Sequence, residues 1–213
     1  MNASRQACRL PLKQRGVSLI IVLLLLIAAG FLGSSAAVIA LQAEKASRGD
    51  RDRQIAFQAA EAAIVDAQLD IDKAPIMSRG VRRAFPFSPE SALGFPAVDG
   101  AAHCLNTGAS RGLCRQAYDG DIPSWLEEDI SIATATSAAV PYGFFTGQDF
   151  PVGDLVLSAR RPQYVIELIS YHQPGAETST EVQSSYFYRI TAIGFGADVN
   201  TRVVLQAFYR KEN

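Results

Sequence analysis

Between Val17 and Leu41 the chain runs 25 residues without one charge, VSLIIVLLLLIAAGFLGSSAAVIAL. At about 1.5 Å per residue a helix of that length measures roughly 37 Å, enough to cross a hydrocarbon core of about 30 Å with some tilt. A helix buried in a soluble core rarely runs so far without a polar face. Residues 1–16 carry Arg5, Arg9, Lys13 and Arg15 and no acid. That positive flank predicts a cytoplasmic N-terminus and an exported remainder, a single-pass arrangement.

Export allows three treatments of the segment. A cleaved signal peptide needs a small-residue site, which Ser34-Ser35-Ala36 supplies. A signal anchor needs nothing more. The third cut falls before the apolar run: Lys13-Gln14-Arg15-Gly16 followed by Val17 looks like a class III leader of the prepilin kind, cleaved between Gly16 and Val17. A glycine suits that position because the peptidase must approach the scissile backbone without a Cβ in the way. Removal of the leader takes away four positive charges and changes the net charge from -1 to -5. An acidic exported domain is a poor ligand for nucleic acid, and no direct nucleic-acid partner is expected.

The helical pattern continues beyond the apolar run. Glu44 and Arg48 form an i,i+4 pair of the favourable order, and Asp52 continues the row. Phe57, Ala60, Ile64, Ala67 and Ile71 recur at steps of three and four, which predicts one buried stripe. Pro75 ends the pattern, so the helix is expected from Val17 to about Lys73, near 85 Å if straight. Such an element does not fit inside a small globule. Ala29, Gly33 and Ala37 share one face and offer a candidate for close helix approach.

The segment Arg51-Asp52-Arg53-Gln54-Ile55-Ala56-Phe57-Gln58-Ala59-Ala60-Glu61-Ala62-Ala63 resembles the helix of PilX-type minor pilins of type IV pili. Near the other end, Tyr188–Gly196 (YRITAIGFG) and Val203–Arg210 (VVLQAFYR) are similar to the closing strands of that family, and Gly112-Leu113-Cys114 to its central region. The resemblance implies an α+β, type IV pilin-like fold: a helical spine, transmembrane in its first half, packed on a C-terminal antiparallel sheet. It implies cleavage at Gly16–Val17 by a prepilin peptidase and N-methylation of Val17. The implied partners are other minor pilins, the major pilin, the assembly machinery and the inner membrane. The chain departs from the usual pilin pattern at the fifth mature position, where Ile21 stands in place of a glutamate. An intramembrane carboxylate persists only with a partner, so this subunit cannot donate one to a neighbour's amino terminus. That suits a tip or initiating subunit, assembled into the extracellular pilus.

The expected organisation is a leader (1–16), a membrane or filament-core half-helix (17–41), an amphipathic half-helix (42–73), a loop-rich region (74–162) and a three-strand antiparallel meander (163–213). Eight of the ten prolines fall in the loop-rich region, with short helix or strand pieces expected around Ser124–Ile132 and Val152–Ala159. In an oxidising compartment Cys104 and Cys114, closing an 11-residue loop, are expected to form a disulfide. A zinc site from His103, Cys104, Cys114 and His172 lacks the close pairs of structural zinc, so no metal and no cofactor are expected. Tyr118-Asp119-Gly120-Asp121 reads as a turn rather than a calcium loop. Asp66, Asp70 and Asp72 read as a solvated face, as do Glu127-Glu128-Asp129, and Trp125 as a core anchor.

Gln163–Tyr171, Ser185–Phe195 and Asn200–Arg210 are rich in Val, Ile, Tyr and Phe and alternate as strands do. Gly194–Asp198 is read as the hairpin connector between the last two. The sheet they form needs a cover, which the 55–71 helix stripe can provide. No G-x-S-x-G elbow and no H-E-x-x-H occur, so no catalytic residue is nominated and no enzymatic role expected. A pseudopilin of a type II secretion system and a signal-anchored periplasmic binding domain are the alternative readings.

Overall fold

The computed structural model describes residues 17–72, 83, 87–97, 103–117, 122–127, 129–132, 134, 136–153, 157–171 and 185–211. Gly16, Pro75, His172 and the 118–121 turn lie outside them. Two compact units divide the chain after Arg48, and one helix, α1 (Val17–Asp72), contributes to both.

In the first unit every described residue is solvent-exposed, including Ile21, Leu25, Phe31 and Leu41. Ser34 and Ser35 each donate their hydroxyl to the carbonyl of Phe31, at 2.9 and 2.8 Å. The only side-chain hydroxyls in the apolar run are thus satisfied within the helix wherever water is absent, Ser18 apart. Among the described residues this is the one helix long and apolar enough to cross a membrane.

The second unit packs α1 residues 49–72 on a mixed sheet. Its strands are β1 (Leu113–Cys114), β2 (Val140–Pro141), β3 (Gln163–Tyr171), β4 (Ser185–Phe195) and β5 (Arg202–Tyr209). The order is β1-β3-β4-β5, and β2 also pairs with β3. The expected meander is present, with Tyr164 opposite Ala192 and Ala192 opposite Leu205. The sheet is not purely antiparallel, however, because β1 runs parallel to β3, Leu113 beside Ile166. The turn before β5 begins at Gly196, whose amide donates to Thr201 O at 2.8 Å, and Gly194 belongs to β4. In the loop-rich region a single helical turn, α2 (Ser124–Glu127), occupies the first predicted piece. The second is an isolated bridge, Val152 to Ser158.

Two apolar clusters lie on opposite faces of the sheet. Beneath α1, Ala63, Ala67 and Ile71 meet Tyr164, Ile166, Tyr188, Ile190 and Ala192, joined by Phe87, Leu113, Val140 and Phe145. On the far side, Val165, Ile193 and Phe195 meet Ile130, Ala138, Ala139 and the Cys104–Cys114 pair. The start of β3 is therefore buried on both faces, whereas β5 alternates exposed Arg202, Val204, Gln206 and Phe208 with half-buried Val203, Leu205, Ala207 and Tyr209. The loop-rich region forms the second cover of the sheet. Trp125 is only half-buried and belongs to neither cluster.

The helix stripe is rotated from the expected one. Ala56, Ala59, Ala60, Ala63, Ala67 and Ile71 are buried, Ile64 is half-buried, and Phe57 is exposed. Alanines are selected because the backbones approach closely: a Cβ at Gly194 would sit against Ala56 O, Ala60 N and Ala59 C, all backbone atoms. Only a residue without a Cβ fits there. Two of the segments that carry the family resemblance, one on the helix and one on β4, are thus a single contact.

Candidate assembly interface

Asp52, Asp66 and Asp70, three of the carboxylates on α1, fasten other parts of the second unit to the helix. Asp52 lies at the upper end, where its Oδ1 accepts the amides of Ala197 and, at 3.2 Å, Asp198. The turn between β4 and β5 is thereby fixed to the helix; Gly196 lies so close to the carboxylate that a Cβ there would collide with it. Arg48 pairs with Glu44 at 2.5 Å, with both side chains well exposed, a pair of little energetic weight.

Asp66 is 1% exposed and Asp70 7%. The expectation that they form a solvated face is overturned, since both lie on the buried side with Ala59 and Ala63, at steps of three and four. Asp66 Oδ2 accepts the Gly143 amide at 2.8 Å, and Oδ1 accepts the hydroxyl of Thr146. Burial raises its pKa above the ordinary aspartate value, against the lowering effect of those two hydrogen bonds, and the neighbouring Asp70 charge raises it further.

Asp70 takes a two-pronged contact from Arg83, with Nε at 2.9 Å from Oδ1 and Nη2 at 2.6 Å from Oδ2, and also the Tyr164 hydroxyl at 3.2 Å. Arg83 Nη1 donates onward to the carbonyls of Ala109 and Arg111, at 2.9 and 3.1 Å. The guanidinium carbon lies 3.7 Å from the centre of the Phe145 ring. The Asp70–Arg83 pair thus joins the helix, β3 and the loop closed by Cys104 and Cys114. Those two sulfurs are bonded, as expected, with Cα atoms 4.0 Å apart. The pairing removes both cysteines from any zinc site, and His103 instead contacts Arg115 at 2.9 Å. Gly112, at φ +81°, carries the backbone out of the loop into β1.

On the other face of the sheet Glu167, fully buried, receives Arg189 Nε at 2.8 Å and Nη2 at 2.7 Å. Every buried acid noted here is met by backbone amides, hydroxyls or a guanidinium, which is what burial of charge demands. Among the described residues no group of three or more His, Cys, Asp or Glu could hold a metal ion. The buried acids Asp66, Asp70 and Glu167 hold elements of the second unit together. The first unit leaves its apolar side chains exposed, and at Gly30 and Gly33 nothing lies within 4 Å of a would-be Cβ.

Of the residues singled out from sequence, Cys104 and Cys114 come together, Val17 begins α1, and Gly16 falls outside the described residues. Asp52, Asp66, Asp70 and Arg83 were not expected to have these roles. For the two buried aspartates a signal was present, namely their spacing from the alanine stripe. Nothing in the sequence pointed to Arg83.

Two family models match the chain. One, described as PilX N-terminal, covers residues 15–65. The other, described as Type IV pilus assembly protein PilX C-term, covers residues 110–211. No curated protein and no solved structure matches it.

Proposed function

The chain belongs to the PilX family of type IV pilus assembly proteins, and from that premise we propose that it is a minor pilin stored in the inner membrane which primes pilus assembly and enters the fibre at its tip or sparsely along it. The supporting observation is the first unit: an apolar half-helix with no side chain buried. Partition of that half-helix between lipid and a core of like helices is the mechanism, and no chemistry of its own is required. Sections of apolar helix gain little from leaving lipid for other helices by hydrophobicity alone, so packing and small-residue contact must favour the fibre. Ala29, Gly33 and Ala37 supply such a face. Ile21 leaves the subunit unable to offer a carboxylate to a neighbour, as befits an initiating subunit rather than a repeating one.

In this reading the prepilin peptidase cuts between Gly16 and Val17 on the cytoplasmic side, and Val17 is then N-methylated. The second unit faces the periplasm, where the Cys104–Cys114 bond forms. The partners are the other minor pilins, the major pilin and the inner-membrane machinery.

The test is N-terminal sequencing and intact mass of the protein from its own cell membranes. A methylated Val17 at the start, and accumulation of full-length precursor with fewer surface pili for Gly16→Phe, are the expected results. A start near Ser35 to Ala37 means that the apolar run was discarded, which overturns the reading. Loss of protein secretion with intact pili on deletion would assign the chain to a secretion pseudopilus instead.

A further inference from the structure

A polar groove of about 530 Å³ lies where α1 passes the start of β5, lined by Gly49, Arg53, Asn200, Thr201, Arg202 and Val203 among others. Both arginines are solvent-exposed, and neither has a hydrogen-bond or ion-pair partner among the described residues. Of the acids nearest in sequence, Asp50 is exposed and pairs with neither arginine, and Asp52 and Asp198 hold neutral donors. Asp52 accepts the Ala197 and Asp198 amides, and Asp198 Oδ1 accepts both the amide and the side-chain Nδ2 of Asn200, at 2.9 and 3.0 Å. Asp129 feels the Arg202 charge, and its Oδ1 accepts the amide and hydroxyl of Ser131. Two guanidiniums thus line one groove, and neither is ion-paired to an acid among the described residues. Asp52 also fixes the turn to the helix, so the two walls of the groove are held in register before anything binds.

The geometry points to this groove as a docking site for a side-chain carboxylate of a neighbouring pilus subunit, with Arg53 and Arg202 gripping it from the two walls. This rests on the minor-pilin reading, which brings other subunits alongside α1. Guanidinium forks match carboxylates in shape as well as charge. A lipid phosphate is the competing anion, and residue count disfavours it. About 20 helical residues cross a hydrocarbon core of about 30 Å, which from Val17 ends at Ala36. Arg53 follows 17 residues later, about 25 Å along a helix and beyond a headgroup layer of about 5–8 Å. Lys45 and Arg48 fall nearer the headgroups on the same count.

The experiment places a photo-crosslinking amino acid at Asn200 in the full chain in its own cells, and in a second strain at Ala29 of the apolar half-helix. The expected result is an Asn200 adduct with another pilus subunit at a peptide containing Asp or Glu. Its yield falls about tenfold or more in R53E/R202E, by less in R53Q/R202Q, and not at all in R210E. It returns to R53E/R202E when the cross-linked acid is replaced by Arg. Both arginines are exposed, so these variants keep the fold, checked by an unchanged thermal midpoint. A phospholipid adduct, no adduct, or a yield indifferent to charge reversal overturns the groove assignment. If Ala29 adducts with other subunits persist in those cases, the minor-pilin reading stands and the groove alone fails; if they too are missing, both fail.

Discussion

Replacing Gly194 by alanine tests whether α1 and β4 meet backbone to backbone. A Cβ at this position would lie 2.1 Å from Ala56 O, 2.4 Å from Ala60 N and 3.0 Å from Ala59 C. Ordinary contact begins near 3.4 Å, so the helix must lift from the strand by about an ångström. Because all three atoms are main chain, no rotamer change relieves the clash, and trimming Ala59 or Ala60 to glycine cannot rescue it. A gap of that size forfeits a quarter to a half of the dispersion attraction of the lining atoms, here along Ala56, Ala59, Ala60 and Ala63. With the usual cost of overpacking, the loss is about 3 kcal/mol. A unit of some 165 residues loses about 2–4 °C per kcal/mol, so the unfolding midpoint of the full chain in detergent should fall by about 6–12 °C. Gly49→Ala is the matched control: it sits in the same helix with nothing within 4 Å of its would-be Cβ. Removing a helix-interior glycine there should stabilise by up to about 1 kcal/mol. A midpoint for Gly194→Ala within about 1 °C of the parent refutes the close-approach argument.

Asp70→Asn strands the Arg83 charge and should cost about 3–5 kcal/mol in urea unfolding, whereas Asp70→Leu with Arg83→Met together should cost far less; equal losses would deny that the pair acts as a unit. Asp66 has its native pKa raised by burial above the unfolded 3.8, so the native state binds the extra proton between the two values. Its contribution is therefore fullest below pH 3.8 and is lost as pH rises through the raised native value. Relative to Asp66→Asn, the parent should gain stability as pH falls from 7 toward 4, and parallel profiles would count against the assigned shift. Replacing Cys104 and Cys114 by serine should cost about 3 kcal/mol on the loop-entropy argument. Limited proteolysis should then cut between 105 and 113, a segment that stays intact in the oxidised parent.

The elements with long periodic patterns were readable in the chain: α1, the three long strands and the pairing of the cysteines. The two shortest strands were not. β1 and β2 have two residues each, too few for any alternation to register, and they become strands only because β3 offers an edge. The rotation of the helix stripe has a related cause. Phe57 weighs heavily in a hydrophobic pattern, but a large ring cannot enter a contact where Gly194 meets the helix backbone, so the alanine face wins. The same inversion hid Asp66 and Asp70, since carboxylates on a helix ordinarily seek water, and Arg83, Tyr164, Thr146 and the Gly143 amide, all well removed in sequence, make their burial tolerable. The roles proposed for Gly16 and Val17 rest on an encounter with a peptidase, which no folded state of the chain displays.

The fastenings along α1 also have a mechanical meaning. Asp52 holds the Gly196–Thr201 turn, Asp66 the 143–146 turn, Asp70 holds Arg83, Asp72 accepts the Tyr209 hydroxyl at 2.7 Å, and Ile71 O accepts Lys211 Nζ at 2.8 Å. They are spread over 21 residues of helix, about 30 Å. Tension drawn along the helix axis must shear these ties together, because no end of the row can open while the others bear nothing. A subunit hauled by its helix would therefore transmit the load into its sheet at several points at once, and yield by collective slip rather than by peeling.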